Sequence, residues 1–366
     1  DKIDVINDEL KDTLIEQTVE SAKNQQEGIG IQEEENFTDI ISEIIVKTDT
    51  ETASQMIEQI NDIDTETNLS LEVISGISEK DENKLNDLSE NIEDAMNELT
   101  IDAVQKAENT SEDSDLIAQV ISVVNDDLIN VMVEEVSKTS VDEKQTLSAK
   151  VLQSIVDTEP DKIDVINDEL KDTLIEQTVE SAKNQQEGTV TQDQEDFADI
   201  VSEIIVKTDT ETATKLIKEV NKTDTESNLS LKVIAGVSEK DYTALDFISL
   251  ENKNDIDKLT ENAIKNAGNT SEDSELIAKV VSNVSEGLAN QVVEEVSKTS
   301  TDEKQTLSAK VLKAIVDTEP AKIDIIDDDV KDTMIEQTIE SAKNQQEGTG
   351  IQEEQDLTSI VSDIIV

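Results

Sequence analysis

Residues Asp1 to Gly28, DKIDVINDELKDTLIEQTVESAKNQQEG, return letter for letter at Asp161 to Gly188, and an edited third copy, AKIDIIDDDVKDTMIEQTIESAKNQQEG, runs from Ala321 to Gly348. The two steps, from Asp1 to Asp161 and from Asp161 to Ala321, are equal. The residues between align without a gap, as SEIIVKTDTETA does at Ser42 to Ala53 and again at Ser202 to Ala213. A fixed period of this kind is the mark of a repeat architecture, and it constrains the fold more tightly than any composition can. It divides the sequence into repeat unit 1 over 1–160, repeat unit 2 over 161–320 and a partial unit 3 over 321–366. Because the chain begins and stops inside a repeat, the expectation is an excerpt of a longer protein or a head-to-tail assembly.

A fainter period lies inside the first. LSLEVISGIS at Leu69, LSAKVLQSIV at Leu147, LSLKVIAGVS at Leu229 and LSAKVLKAIV at Leu307 form one series, and TDIISEII at Thr38 corresponds to SDLIAQVI at Ser114. Each full unit is therefore read as two half-modules of about 80 residues, a repeat within the repeat.

Ile and Val favour strands by type, but their spacing here does not. Ile40, Ile41, Ile44 and Ile45 fall in doublets four apart, as do Val151, Leu152, Ile155 and Val156. Such doublets share one broad face of a helix, whereas a half-buried strand would alternate. The first copy is read as helices over 34–48, 50–63 and 65–78, a longer broken stretch over 83–109, then 114–125, 126–139, 142–157 and a long helix over 160–186. The S/T-x-x-acid pattern of a capping box at Thr48, Ser78, Ser140, Thr208, Thr223 and Ser300 marks expected starts. Pro160 and Pro320 open the long segment, where a missing N–H costs nothing. Gly28, Gly188 and Gly348 close it.

One module of about 80 residues with short helices buries little surface alone, and stacking on its neighbours supplies the remainder. The expected fold is all-α: an extended, α-solenoid-like helical-repeat array of tandem ~80-residue four-helix modules, paired into a 160-residue sequence repeat and right-handed or gently twisted. The chain resembles helical-repeat solenoids in period and pattern, without the tetratricopeptide, ankyrin or leucine-rich signatures. Separate bundles on a string would need a polar linker, for which 25–36 is the candidate.

Charge bounds the partners. With 88 acidic residues against 30 bases, every one a lysine, the net charge is -58. Such an anion repels phosphates and anionic headgroups, so neither nucleic acid nor membrane insertion is expected. Leu, Ile, Val and Phe make up about 28% of the residues, enough for a core despite the charge. No apolar run approaches the ~20 residues of a membrane span.

Chemistry-bearing residues are scarce. His, Cys and Arg are absent, which removes the usual general base, the thiolate nucleophile and the bidentate anion clamp. Carboxylate pairs arise everywhere by chance among 88 acids. Asp62, Asp64 and Glu66 have the every-second-residue oxygen spacing of half a calcium loop, but lack its glycine, and Lys222 replaces Asp62 in the next copy. They are read as helix-capping acids. No catalytic, cofactor-binding or metal-binding residue is assigned, no cofactor is expected, and divalent ions enter only as diffuse screening. Gly76 and Gly236 are read as points of close helix approach, and Tyr242, Phe37, Phe197 and Phe247 as core or boundary fillers.

The expected role is non-enzymatic and structural: a spacer, stalk, fibre or surface-layer filament component, extracellular or at a cell surface. Its partners would be neighbouring repeats or copies of itself, head to tail. The alternative is a binding scaffold for a basic or extended partner, including a cationic protein. Near-identical copies suit reach, whereas recognition needs residues that differ from turn to turn.

Overall fold

The computed structural model describes residues 8–29, 36–63, 67–107, 109–140, 146–188, 196–224, 227–300, 306–349 and 357–365, and among these every regular element is helical. By contacts the chain divides into two compact units, Asp1–Gln177 and Thr178–Val366.

The first unit contains α1 (Asp8–Gln26), α2 (Phe37–Lys47), α3 (Thr50–Ile63), α4 (Leu69–Lys80), α5 (Glu82–Asn91), α6 (Glu93–Lys106), α7 (Ser111–Val123), α8 (Asp126–Thr139) and α9 (Leu147–Thr158). A 3-10 turn (Pro160–Val165) then leads to α10 (Asp168–Gln186), within which the division falls. Each helix packs on the one two places along, or three where α5 and α6 together fill one place, so the unit has two rows: α2, α4, α7 and α9 in one, α1, α3, α6 and α8 in the other. Consecutive helices cross between the rows. The stacked layer is thus a helix pair, and each half-module holds two such layers. The inward doublets fill the space between rows, with Ile41 and Ile45, Met56 and Ile60, Ile74 and Ile77, Ile117 and Ile121 all buried. Each such side chain contributes roughly 1.5–3 kcal/mol of transfer free energy.

The second unit repeats this plan in α11 (Phe197–Lys207), α12 (Thr210–Thr223), α13 (Leu229–Lys240), α14 (Ala244–Asn266), α15 (Ser271–Asn283), α16 (Glu286–Thr299), α17 (Leu307–Thr318), a 3-10 turn (Pro320–Ile325), α18 (Asp328–Glu347) and α19 (Leu357–Ile365). One row is α11, α13, α15, α17 and α19, and the other α12, α14, α16 and α18.

Lysines tie the layers together. The Nζ of Lys84 donates to the carbonyl of Thr48 at 2.8 Å, Lys150 to that of Asn109 at 3.0 Å, Lys162 to that of Val124 at 3.3 Å and Lys310 to that of Asn269 at 2.6 Å. Thr48 and Val124 end α2 and α7. Lys84 and Lys162 therefore meet carbonyls that the helices themselves leave unpaired, at the negative end of the dipole, while Lys150 and Lys310 meet carbonyls of connecting loops.

Several local expectations shift. The starts of α3 and α12 are capped one residue later than Thr48 and Thr208: Asp49 Oδ1 accepts from the Thr52 N–H at 2.8 Å, and Asp209 from that of Thr212 at 2.7 Å. Ser78 lies inside α4, its hydroxyl donating to the Ser75 carbonyl, and Asp81 is itself the cap of α5. Ser140 accepts from the Ser148 N–H at 3.0 Å and Ser300 from that of Ser308 at 2.9 Å, so each caps a helix eight residues on. The acids paired with Ser140, Ser300 and Thr223 lie outside the described residues, as do Asp64, Glu66 and half of the 25–36 segment. The long helix over 160–186 is broken: Pro160 opens a 3-10 turn, and Asn167 restarts the helix by accepting from the Glu169 N–H at 2.9 Å. Gly28, Gly188 and Gly348 adopt left-handed φ of 68°, 69° and 69° at the ends of their helices. In the first, the Ile29 N–H closes onto the Asn24 carbonyl at 2.8 Å. That is the six-to-one bond of a Schellman cap.

The Asp49 cap is directly testable. Asp49→Ala removes an acceptor that the first turn of α3 needs, and the expected cost is about 1 kcal/mol. The Thr52 N–H, and after it the Thr52 hydroxyl, hold the Asp49 carboxyl below its ordinary pKa. A lowered folded-state pKa gives stability that is present above the unfolded pKa and lost as pH falls through the folded one. Urea midpoints of the wild type and Asp49→Ala should therefore differ at neutral pH and converge in strong acid. An undiminished gap in acid would mean the carboxylate's charge is not what caps the helix.

Candidate binding surface

α14 is where the two copies part company. Residues 161–188 match 1–28 at every position, but 241–268 differ from 81–108 at 21 of 28. The positions that persist are mostly inward: Leu85 and Leu245, Leu99 and Leu259, Thr100 and Thr260, Ala103 and Ala263 are buried in both. Packing is held while the outward face is rewritten.

The element bends at the same place in both units but starts differently, Asp81 capping onto the Lys84 N–H in the first. Asp241 Oδ1 accepts from the Thr243 hydroxyl at 2.7 Å and the Thr243 N–H at 2.8 Å, and these two bonds, the hydroxyl foremost, hold its carboxyl below the ordinary range. The helix then breaks at Asn252, φ -130° and ψ 49°, the same departure that separates α5 from α6 at Ile92, φ -134° and ψ 49°. Asn252 donates across to the Thr214 hydroxyl of α12 at 2.9 Å.

Beyond this kink, α14 and α16 border an open groove of about 800 Å³. Its lining carries six carboxylates, those of Asp257, Glu261, Glu286, Glu294, Glu295 and Asp327, against the ammonium groups of Lys253 and Lys298, which leaves four negative charges uncancelled. Lys253 is held by Asp257 at 2.7 Å. Lys298 lies between Glu295 at 2.7 Å and Glu294 at 3.0 Å, and those two carboxylates, Glu295 foremost, raise its pKa. Asn290 fixes the far wall, donating to the Ile325 carbonyl at 3.1 Å and accepting from the Asp327 N–H at 2.8 Å. Seven of the eleven lining positions differ from the first copy, where Glu93, Asn97, Ile101, Asp126, Asp127, Val131 and Asn167 stand.

Outward apolar residues precede the kink. Phe197 is fully buried and Phe37 half-buried, as fillers should be, but Tyr242 is 68% exposed and Phe247 65% exposed, against expectation. For Phe247 the reason is helical phase: Leu245 and Ile248 take the inward face, and a residue two places past Leu245 points away from it. Tyr242 stands ahead of the helix, in the turn that leads into it.

The displaced pKa values in the two units, at Asp49, Asp241, Lys138 and Lys298, follow from caps and ion pairs. None comes from an apolar pocket of the kind that keeps a carboxyl protonated. Among the described residues no group of three or more acids is placed to hold a metal ion, and no helix is long and apolar enough to cross a membrane. The groove itself was legible only by comparing the copies position by position, because 88 acids mask any local cluster.

No family model and no curated protein matches the sequence. Among solved structures, the chain is similar to a Puf3 RNA-binding domain bound to a Cox17 RNA 3' UTR recognition sequence, at 12% identity and TM-score 0.40, over 95% of this chain and 94% of that one. It is also similar to a circular tandem repeat protein with novel repeat topology, at 13% identity and TM-score 0.31, over 97% and 89%. The first of these corrects the expectation that excluded nucleic acid as a partner, since that helical-repeat chain holds RNA. Net charge sums the entire surface, whereas a partner meets one patch of it. The chain is a helical-repeat protein.

Proposed function

We propose that the protein is a binding scaffold and that the groove between α14 and α16 takes a basic, extended polypeptide. The observation that carries this reading is an open acidic groove, six carboxylates against two lysines, seven of whose eleven lining positions differ from the first copy. A spacer needs only uniform copies, and it gives no reason for 241–268 to differ from 81–108 at 21 of 28 positions.

A chain of net charge -58 attracts any polycation, so binding alone decides little. The test is local. Asp257→Asn, Glu261→Gln and Glu286→Gln together neutralise three of 88 acids, too few to alter non-specific attraction appreciably. A labelled oligolysine should lose about tenfold in affinity, roughly 1.4 kcal/mol shared among three charged contacts. If the triple variant binds oligolysine as the wild type does, the groove is not the site. If single-stranded RNA binds the wild type and oligolysine does not, the scaffold serves nucleic acid instead.

A further inference from the structure

The surface just before the kink points to the kind of polypeptide. Tyr242, Phe247 and Leu250 are 68%, 65% and 82% exposed, and they stand where the first copy has Glu82, Asp87 and Glu90, all exposed as well. Three acids on one outward stretch have become two aromatics and a leucine. The fold does not ask for this, because Leu85 and Leu88 in the first copy, Leu245 and Ile248 in the second, already supply the buried contacts of that stretch. A cluster of exposed large apolar side chains reads as an interaction site.

The charge around the cluster says what would cover it. Between Asp241 and Asn252 there are three carboxylates, Asp241, Asp246 and Glu251, and no lysine. Past the kink the acidic groove continues on the same helix with Asp257 and Glu261. Phe247 and Leu250 are one turn apart, about 4.5 Å along the axis, the rise that three- and four-residue ridges of a second helix can straddle.

We infer that this surface takes a basic amphipathic helix, its apolar face seated on Tyr242, Phe247 and Leu250 and its lysines or arginines over the carboxylates of α14 and α16. The inference rests on the groove being a binding site and adds the apolar anchor. The aromatics supply large contact area at little entropic cost, and the carboxylates set the orientation and reject acidic helices.

The experiment uses the full chain and two labelled peptides of about five helical turns, one with leucines on one face and lysines on the other, the second a scramble of the same composition. The variant is Tyr242→Glu, Phe247→Asp and Leu250→Glu, the residues the first copy carries in the same fold. The amphipathic peptide should bind the wild type at least tenfold more tightly than its scramble, and the variant should abolish that preference while leaving the scramble's affinity unreduced. The variant adds three negative charges, so simple electrostatics would strengthen peptide binding, and a loss can come only from the apolar contact. Equal binding of both peptides to the wild type, or a preference that survives in the variant, overturns the inference and leaves the groove reading standing. Failure of both peptides to bind overturns both. Direct binding of labelled single-stranded RNA to the wild type in the absence of peptide, lost in the variant, would assign the surface to nucleic acid and overturn the helix.

Discussion

Replacing Gly76 with alanine destabilises the protein by about 1–2 kcal/mol, opposite in sign to the gain that helix propensity alone predicts. Gly76 lies inside α4, where an alanine would ordinarily add up to about 1 kcal/mol. A Cβ built there, however, meets Ser42 Oγ of α2 at 2.5 Å and Ser42 Cβ at 3.0 Å. Ser42 cannot move aside cheaply, since it is fully buried and its hydroxyl is shared between the Thr38 carbonyl at 3.0 Å and the Val73 carbonyl at 3.2 Å. Overpacking of this kind costs roughly 1–3 kcal/mol, which outweighs propensity. The second unit repeats the contact, with Gly236 facing Ser202 Oγ at 2.5 Å, so Gly236→Ala should behave alike.

A double-mutant cycle in urea makes the argument specific. In a Ser42→Gly background both clashing atoms are gone, and Gly76→Ala should become neutral or stabilising. Gly287→Ala is the control in the same chain, because nothing lies within 4 Å of a Cβ at that position in the first turn of α16. That substitution should stabilise by up to about 1 kcal/mol. If Gly76→Ala stabilises in the wild-type background, α2 and α4 are not in contact at that point.

The close approach was legible because a glycine among apolar residues inside a helix has few other uses. The helices themselves were legible for a similar reason, since doublets four apart admit only one regular backbone. Boundaries were less so. At 48–49 and 208–209 a threonine and an aspartate stand side by side, both able to cap, and spacing alone cannot say that the first closes α2 while the second opens α3. At Ser140 the amide it caps lies eight residues on, beyond any local pattern. The long segment after Pro160 carries no glycine to announce its break, which is made by Asn167 acting as a cap in mid-pattern. The outward aromatics were placed by residue type alone: only the burial of Leu245 and Ile248 shows which way the helix turns Phe247, and Tyr242 falls in the turn before the helix. The proposed groove hid deepest, in differences between copies whose similarity is the first thing seen.

Lys150→Met costs about 1–3 kcal/mol and keeps costing it in high salt. Thirty lysines in so acidic a chain could all be spent on surface ion pairs, and many are. Lys138, for example, pairs with Glu134 at 2.8 Å with both side chains more than half exposed. Its replacement by alanine should change stability by no more than about 0.5 kcal/mol. Lys150 is different in kind. It is 4% exposed, and its Nζ donates to the Asn109 carbonyl at 3.0 Å in the connection between α6 and α7. The Asn109 side chain in turn donates to the hydroxyl of Thr146, the residue before α9, which is itself buried. One ammonium group therefore secures a loop carbonyl that sits forty-one residues back in the chain. Methionine fills nearly the same volume, so the loss is of the bond and not of packing. Arginine should not rescue it, because a planar fork replaces a compact donor in a closed space. Lys310 makes the same bond to Asn269 at 2.6 Å in the second unit, and Lys310→Met should repeat the loss. The readout is the urea midpoint at low and at raised ionic strength. Exposed pairs weaken with salt, whereas a buried donor is screened little. A loss at Lys150 that fades as salt is added would mean that the side chain acts as one more surface charge, and that the layers are held by their apolar faces alone.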